Sequence, residues 1–419
     1  MIMERMHMKR SRVDEWIEES TGISPLTRKA LKAYQLDQIN QLLQYAKAGS
    51  CLYSYLPERV TSLKEFENIR FTDEEMLTTK SEKMILVSQS DISRIITMET
   101  SGTTGKCKRL FYTSKDQELT VGFFTCGLSE FVSNGEITMI CMPYEKEGSI
   151  GALVAKALTR LGAVCVYCGV GKTFKEMYQM MNENRVEHVV ALPMHMLSLG
   201  RWIRANELSI TLKSILVSAD NCPYWLSQEL GKSFNCEVFN HYGSRESGLG
   251  GAVECGAHDG MHVREKDLYI EIVDEKGNVL PNGQFGELVI TTLHRQAMPL
   301  IRYRTKDYTR ILSLKCACGG ITLRLDKVVR KESIAMQAFD EALFSIKEVL
   351  DCKITKDKDG ITIDIVTANE VSKTYLYHKL QKVNSFYFPN TKIDVHIIID
   401  KERNILPCYL GKRCICAVK

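Results

Sequence analysis

The chain has 419 residues, is 44% hydrophobic and 25% charged, and carries a net charge of +4. At about 150 residues per domain, that length implies two or three domains with a full core. The balance excludes disordered, collagen-like and fibrous classes, and +4 is too small to argue for nucleic acid. No apolar run approaches the ~18 residues of a membrane span, and the basic start MIMERMHMKRSR lacks the apolar stretch of a secretory signal. Fifteen cysteines, an odd number and often set in apolar strands (Cys141, Cys165, Cys236), read as reduced thiols packed as small hydrophobes. The expected compartment is the cytoplasm.

The first 90 residues read as mainly helical, with Ile39, Leu42, Leu43 and Ala46 spaced as one buried face. From about residue 93, β-branched runs alternate with helical stretches. The runs are 94–98, 137–142, 164–167, 186–191, 214–217 and 237–240, and 149–161 and 174–184 read as helices between them. Strands separated by single helices predict βαβ units and a mostly parallel sheet. After about residue 265 the rhythm turns antiparallel: alternating strands over 268–273 and 287–292 flank the turn-rich EKGNVLPNGQFG, and a third strand falls around 301–308. The last part reads as a small α+β unit, with helices over 339–346 and 371–383 and strands over 352–355, 361–366 and 393–398. The predicted fold is therefore α/β, a large N-terminal domain with a helix-layered parallel sheet and an antiparallel portion, then a small α+β domain. Its expected divisions are 1–330 (lead-in 1–92, parallel core 93–265, antiparallel portion 266–330) and 331–419.

The sharpest local signal is Thr100-Ser101-Gly102-Thr103-Thr104-Gly105-Lys106, directly after the strand-like RIITM. Two glycines permit close backbone approach and the hydroxyl and ammonium groups supply donors, which suits a polyphosphate whose oxygens only accept. It is not a Walker A loop, because Thr100 stands where that pattern needs Gly and Cys107 where it needs Ser or Thr. Alone, the segment reads equally as a polar surface turn.

TSGTTGK, with a second Lys two positions on, resembles the phosphate-binding loop of the adenylate-forming superfamily. HYGSRESG resembles that superfamily's aromatic-Gly-x-x-Glu segment, and MPLIRYRTKD the form found in phenylacetate-CoA ligases and coenzyme F390 synthetases. Order and spacing agree from about residue 95 to 330. The resemblance implies an acid–thiol ligase in which a carboxylate attacks the α-phosphate of ATP and the acyl group then passes to a thiol, usually CoA. It implies that Glu246 holds Mg²⁺, that Ser244 faces the α-phosphate, and that Tyr242 stacks on adenine with His241 and Gly243 beside it. Ala219 and Asp220 match the other side of that slot, and Asp307 the acceptor for the ribose hydroxyls. Lys412, in Leu410-Gly411-Lys412-Arg413, matches the mobile catalytic lysine carried by a rotating C-terminal domain.

The chain departs from the family at the hinge, where RLDKVVRKESIAMQ has Arg330 and Lys331 but no Gly. Either cation is an expected ribose contact, with Arg330 taken as the binding residue, and the missing Gly-rich run bears on CoA more than on ATP. The expected substrate is a small aryl or other apolar carboxylate, with Phe123, Phe124 and Tyr144 as pocket residues or as core. An adenylyltransferase of the F390-synthetase type and a non-catalytic nucleotide-binding module are the alternatives, and a homodimer is among the open assemblies. No nucleic acid or membrane partner is expected.

A separate cluster is Cys255-x6-His262 with Cys316-Ala317-Cys318-Gly319. A Cys-x-Cys-Gly turn bunches two thiolates that a distant Cys/His pair can complete into a tetrahedral N/S shell. Some phenylacetate-CoA-ligase-like proteins carry a comparable pair, so the expectation is a closed structural Zn²⁺ site. His258 is the alternate fourth ligand, and reduced thiols without metal are the other reading.

Overall fold

The structure is a computed structural model that describes residues 10–99, 107–400 and 407–417. The chain divides into two compact units. One comprises residues 1–132, 147–161 and 239–328, and the other 133–146, 162–238 and 329–419. Among the described residues no helix is long and apolar enough to cross a membrane.

The second unit contains the expected parallel strands, Ile137–Ile140, Val164–Tyr167, His188–Ala191 and Ser214–Val217, hydrogen-bonded side by side with Ser214–Val217 and Val164–Tyr167 outermost of the four. The two middle runs are almost wholly buried, as strands covered on both faces must be. Thr173 starts the helix Phe174–Glu183 with a capping box, its hydroxyl accepting from Glu176 N while Glu176 accepts from Thr173 N. The C-terminal stretch adds the antiparallel strands Val349–Lys356 and Ile361–Thr367, with Ile393–Ile399 parallel to the latter. Helices Ile334–Phe344 and Lys373–Tyr387 pack on it. Met336, Phe339, Leu343, Ile363 and Leu380 share one apolar cluster with Met196, Leu199 and Phe234 of the parallel part.

The first unit holds the lead-in helices Arg12–Thr21 and Arg28–Gly49. Leu31, Ile39, Leu42, Leu43 and Ala46 form the buried face of the longer one, as their spacing predicts. Three antiparallel strands follow the predicted rhythm, Leu268–Val273, Gly286–Thr292 and Tyr303–Thr309. The strand over 94–98 is a correction to the βαβ reading. Ile92–Glu99 pairs antiparallel with Cys107–Thr113, a strand the sequence did not announce, so the Ser/Thr/Gly loop joins two arms of a hairpin. A lone β-branched run does not say which neighbour it will bond, and here a partner eight residues on wins over a distant parallel one. Thr113 and Asp116 then make a second capping box opening Ser114–Leu128. Asp116 also accepts from the backbone N–H groups of Gln296 and Ala297, at 2.6 and 3.1 Å.

In the second unit, Arg201 of the helix Pro193–Ala205 is 3% exposed, and its guanidinium donates to the carbonyls of Ile346 (2.6 Å), Val349 (2.8 Å) and Phe344. Phe344 O is one of the carbonyls a helix end leaves unbonded, and Ile346 and Val349 follow in the turn and strand after it. Burial pushes the Arg201 pKa down to about 10, so the group is still cationic at neutral pH. Arg201→Met keeps the apolar stem and strands the carbonyls. The expected cost is about 3 kcal/mol, read as a lower urea midpoint at unchanged slope.

Candidate active site

The segment after the strand ending at Tyr242 is a tight turn built by its own side chains. Ser244 N donates to Ser247 Oγ at 3.0 Å, Ser247 N donates to Ser244 Oγ at 3.1 Å, and Leu249 N donates to Ser244 O at 2.7 Å. A Cβ at Gly243 would stand 1.9 Å from Leu249 O, so only glycine allows the turn to close. The turn carries Glu246 into a buried position, 7% exposed.

There the Glu246 carboxylate pairs with Lys108 Nζ and lies 3.4 Å from Tyr303 Oη, which also accepts from Lys108 Nζ at 2.8 Å. Glu74 stands 3.9 Å from Lys108 and pairs with Lys306. Burial first, then the charges of Glu246 and Glu74, push the Tyr303 hydroxyl well above the ordinary phenol range, and Asp307 adds to the same effect. Tyr303 therefore stays protonated and serves as a donor. Asp307, 4% exposed, accepts from Tyr242 Oη at 2.7 Å, and its own backbone N–H donates to Thr305 Oγ1 at 3.0 Å. Glu246, Asp307 and Tyr242 are thus brought into one neighbourhood around Tyr303, with Lys108 as its buried cation. Chemically this is a cluster of oxygen ligands and one ammonium, the groups that bind a divalent cation and a polyphosphate.

His241 is buried with its ring 5.5 Å from that of Phe124 and 6.2 Å from that of Phe123. Phe123 and Phe124 are almost fully buried, and Phe123 also meets Trp16 at 5.9 Å. Burial, and secondarily the Arg264 charge, lower the His241 pKa to about 4.

Thr100 to Lys106 lie outside the described residues. Ala219, Asp220, Arg330 and Lys412 belong to the second unit. Ala219 takes a left-handed φ of 69°, and Asp220 accepts from Asn221 N at 2.8 Å and from Arg413 N at 2.9 Å. Lys412 is exposed, whereas Arg413 beside it is buried and donates twice to Asp340, at 2.8 and 2.5 Å. Asp220, Asn221, Ser333, Gln337, Asp340 and Arg413 line a small cleft. Burial raises the Asp340 pKa to about 6 in spite of Arg413.

Sequence reasoning missed Lys108, Tyr303 and Glu74 as site residues. Lys108 had a signal, since it sits two positions past Lys106 in an apolar strand. Nothing in the sequence distinguishes Glu74 from the other acids of a helix first turn.

Cys255, His262, Cys316 and Cys318 are all buried, and their ligand atoms lie within 4.8 Å of one another. Cys255 Sγ is 3.7 Å from Cys316 Sγ, and Cys318 Sγ is 3.5 Å from His262 Nε2. Zinc bonds of about 2.3 Å to sulfur and about 2.0 Å to nitrogen, at tetrahedral angles, require sulfur–sulfur and sulfur–nitrogen separations of about 3.8 and about 3.5 Å. The donor set fits zinc. His258 is elsewhere, its ring tilted against that of Phe239 at 4.7 Å and 3.7 Å from Glu254.

The AMP-binding enzyme family matches residues 32–295, and the chain belongs to that family. It is 27% identical over 342 residues to the phenylacetate-coenzyme A ligase of Pseudomonas putida, covering 76% of this chain and 77% of that one. It is 24% identical over 388 residues to the enzyme of the same name from Thermus thermophilus, covering 87% and 86%. Among solved structures, 2-hydroxyisobutyryl-CoA ligase in the postadenylation state with 2-HIB-AMP superposes with a TM-score of 0.75 at 15% identity, over 94% of this chain and 90% of that one. The same ligase with 2-HIB-AMP and CoA in the thioesterification state gives 0.67 at 17% identity, over 92% and 91%. These likenesses show the same fold.

His241 makes stability depend on pH. In the unfolded chain the imidazole gains a proton as pH falls through about 6.5, whereas the folded protein resists protonation down to about 4. Its contribution is therefore whole above pH 6.5 and lost on acidification between 6.5 and 4, to a total of about 3 kcal/mol. In urea titrations from pH 7 to 4, His241→Phe is expected to flatten the stability curve by that amount relative to wild type.

Proposed function

We propose that this protein is an ATP-dependent aryl- or acyl-CoA ligase that activates its carboxylate as an acyl-adenylate and then transfers the acyl group to CoA. The observation that carries this reading is the buried Glu246–Lys108–Tyr303 cluster with Tyr242 and Asp307 beside it, in a chain of the AMP-binding family. The names of the phenylacetate-coenzyme A ligase relatives, and the adenylate- and CoA-bound states of the structural neighbours, support the same chemistry.

Attack of a carboxylate on a phosphate joins two anions, so catalysis needs charge neutralisation and alignment more than covalent help. Glu246 is the residue that would hold Mg²⁺, which supplies charge neutralisation at the phosphates when bound. Lys108, paired with Glu246, adds an ammonium on the same side. Tyr242 offers a ring for the purine, and Asp307 accepts from the ribose hydroxyls. The 100–106 loop donates to the phosphates, with Ser244 shaping the turn opposite. Ala219, Asp220 and Arg330 are further nucleotide-binding residues. Lys412 bridges the carboxylate and α-phosphate as charge develops, carried by a C-terminal domain over 331–419 that moves between the two half-reactions. Cys255, His262, Cys316 and Cys318 hold a structural zinc whose closed shell leaves no position for substrate.

ATP–pyrophosphate exchange with aryl, fatty and amino-acid carboxylates tests the reading. Exchange is expected with an apolar carboxylate, and CoA is expected to speed AMP release and yield a thioester. AMP transfer that ignores CoA would instead mark the F390-synthetase type, and no exchange with any acid would reject adenylation. Glu246→Gln is expected to lower exchange by about 100-fold or more. Lys412→Ala is expected to abolish exchange yet spare thioester formation from a supplied acyl-adenylate, and equal loss of both half-reactions would count against its role.

A further inference from the structure

The first helix, Arg12–Thr21, has one buried acid on its inner face. Asp14 is 0% exposed and receives Ile321 N at 2.6 Å, Thr322 N at 3.3 Å and Thr322 Oγ1 at 2.7 Å, with Arg10 Nη2 at 3.3 Å. Thr322 Oγ1 is also 2.8 Å from Nδ1 of the fully buried His262. A carboxylate only accepts, so the single hydroxyl proton of Thr322 goes to Asp14. Toward His262 the hydroxyl can then only accept, and Nδ1 must carry the imidazole proton. That leaves the Nε2 lone pair facing Cys318 Sγ, 3.5 Å away, where a metal ligand needs it.

Two further contacts bind the same helix to the thiols. Glu130 accepts from Gly256 N at 3.1 Å, next to Cys255, and from Arg12 N at 3.4 Å. A Cβ at Gly320 would meet His262 Cε1 at 3.0 Å, Cys318 Sγ at 3.2 Å and Asp14 Oδ1 at 3.3 Å, so the turn bearing Cys318 closes onto helix and imidazole with no room to spare.

We propose that Asp14, acting through the Thr322 hydroxyl, is the positioning residue that fixes the tautomer and orientation of His262 for zinc, and that zinc in turn clamps the N-terminal helix. The proposal rests on the zinc reading above and adds to it a part played by a helix some 300 residues away in sequence. Removing such a support for a ligating histidine weakens a metal by about 10- to 100-fold.

The test measures zinc affinity of the full-length protein by competition with a chromogenic chelator, and hydrogen exchange of the first helix with zinc present or stripped. Asp14→Asn and Thr322→Val are expected to bind zinc about 10- to 100-fold more weakly than wild type, whereas Thr322→Ser, which keeps the hydroxyl, is expected to match it. Stripping zinc is expected to speed exchange of the Arg12–Thr21 amides in wild type, and to change it far less in Thr322→Val. Zinc held equally tightly by wild type, Asp14→Asn and Thr322→Val overturns the positioning role while leaving the metal site standing. Wild type with no zinc, and no cobalt thiolate absorption on substitution, overturns the metal site and the positioning role together. If Asp14→Asn does not fold, Thr322→Val, which exchanges one hydroxyl for a methyl, decides alone.

Discussion

The candidate site depends on burying carboxylates beside a single ammonium. Glu246 and Asp307 are both nearly inaccessible, and an unpaired charge in that setting costs several kcal/mol. Lys108 removes most of that cost for Glu246, and Tyr303 adds a donor whose proton the surrounding acids hold in place. Asp307 is satisfied differently, by the Tyr242 hydroxyl. The arrangement holds hard oxygen ligands preorganised in a low-dielectric place, which is the condition for electrostatic stabilisation of phosphate chemistry.

That chemistry can be placed only because the backbone around it is closed without side chains in the way. Gly243 lets the turn approach Leu249 O, and the reciprocal bonds of Ser244 and Ser247 lock the turn so that Glu246 points inward. The Ser244 hydroxyl therefore has a structural task as well as the position the family pattern assigns to it. On the opposite side, the hairpin arm Cys107–Thr113 brings in Lys108 and passes straight into the helix that Thr113 and Asp116 cap.

Buried acids recur as ties between segments far apart in the chain. Asp116 holds the backbone at 296–297, Glu265 takes Arg28 at 2.5 Å and Leu323 N at 2.6 Å, and Asp14 holds the turn at 321–322. Each carboxylate accepts from backbone N–H groups that would otherwise be buried without partners, so a loop-rich unit is satisfied without regular secondary structure at those points. In the second unit Arg201 does the converse, giving donors to carbonyls of the turn after a helix and the strand that follows it.

Much was legible in the sequence because it depends on near neighbours. Helical spacing at Ile39, Leu42, Leu43 and Ala46, the β-branched runs of the parallel sheet, and the Gly-bearing turn before Glu246 are set within a few residues, whereas the two Cys/His pairs were joined into one cluster only through the family resemblance. The partners of those features were not legible. Asp14 reads as an ordinary acid in a helix first turn, favoured there by the helix dipole, yet its partner Thr322 is 308 positions away. Lys108 stands out as the second Lys after the Ser/Thr/Gly loop, but its partner Glu246 lies 138 positions on. Residue type and local period determine what each segment can become; which buried charge meets which partner is decided only when distant segments desolvate one another, because a carboxylate in water needs no particular partner and a carboxylate in the core does.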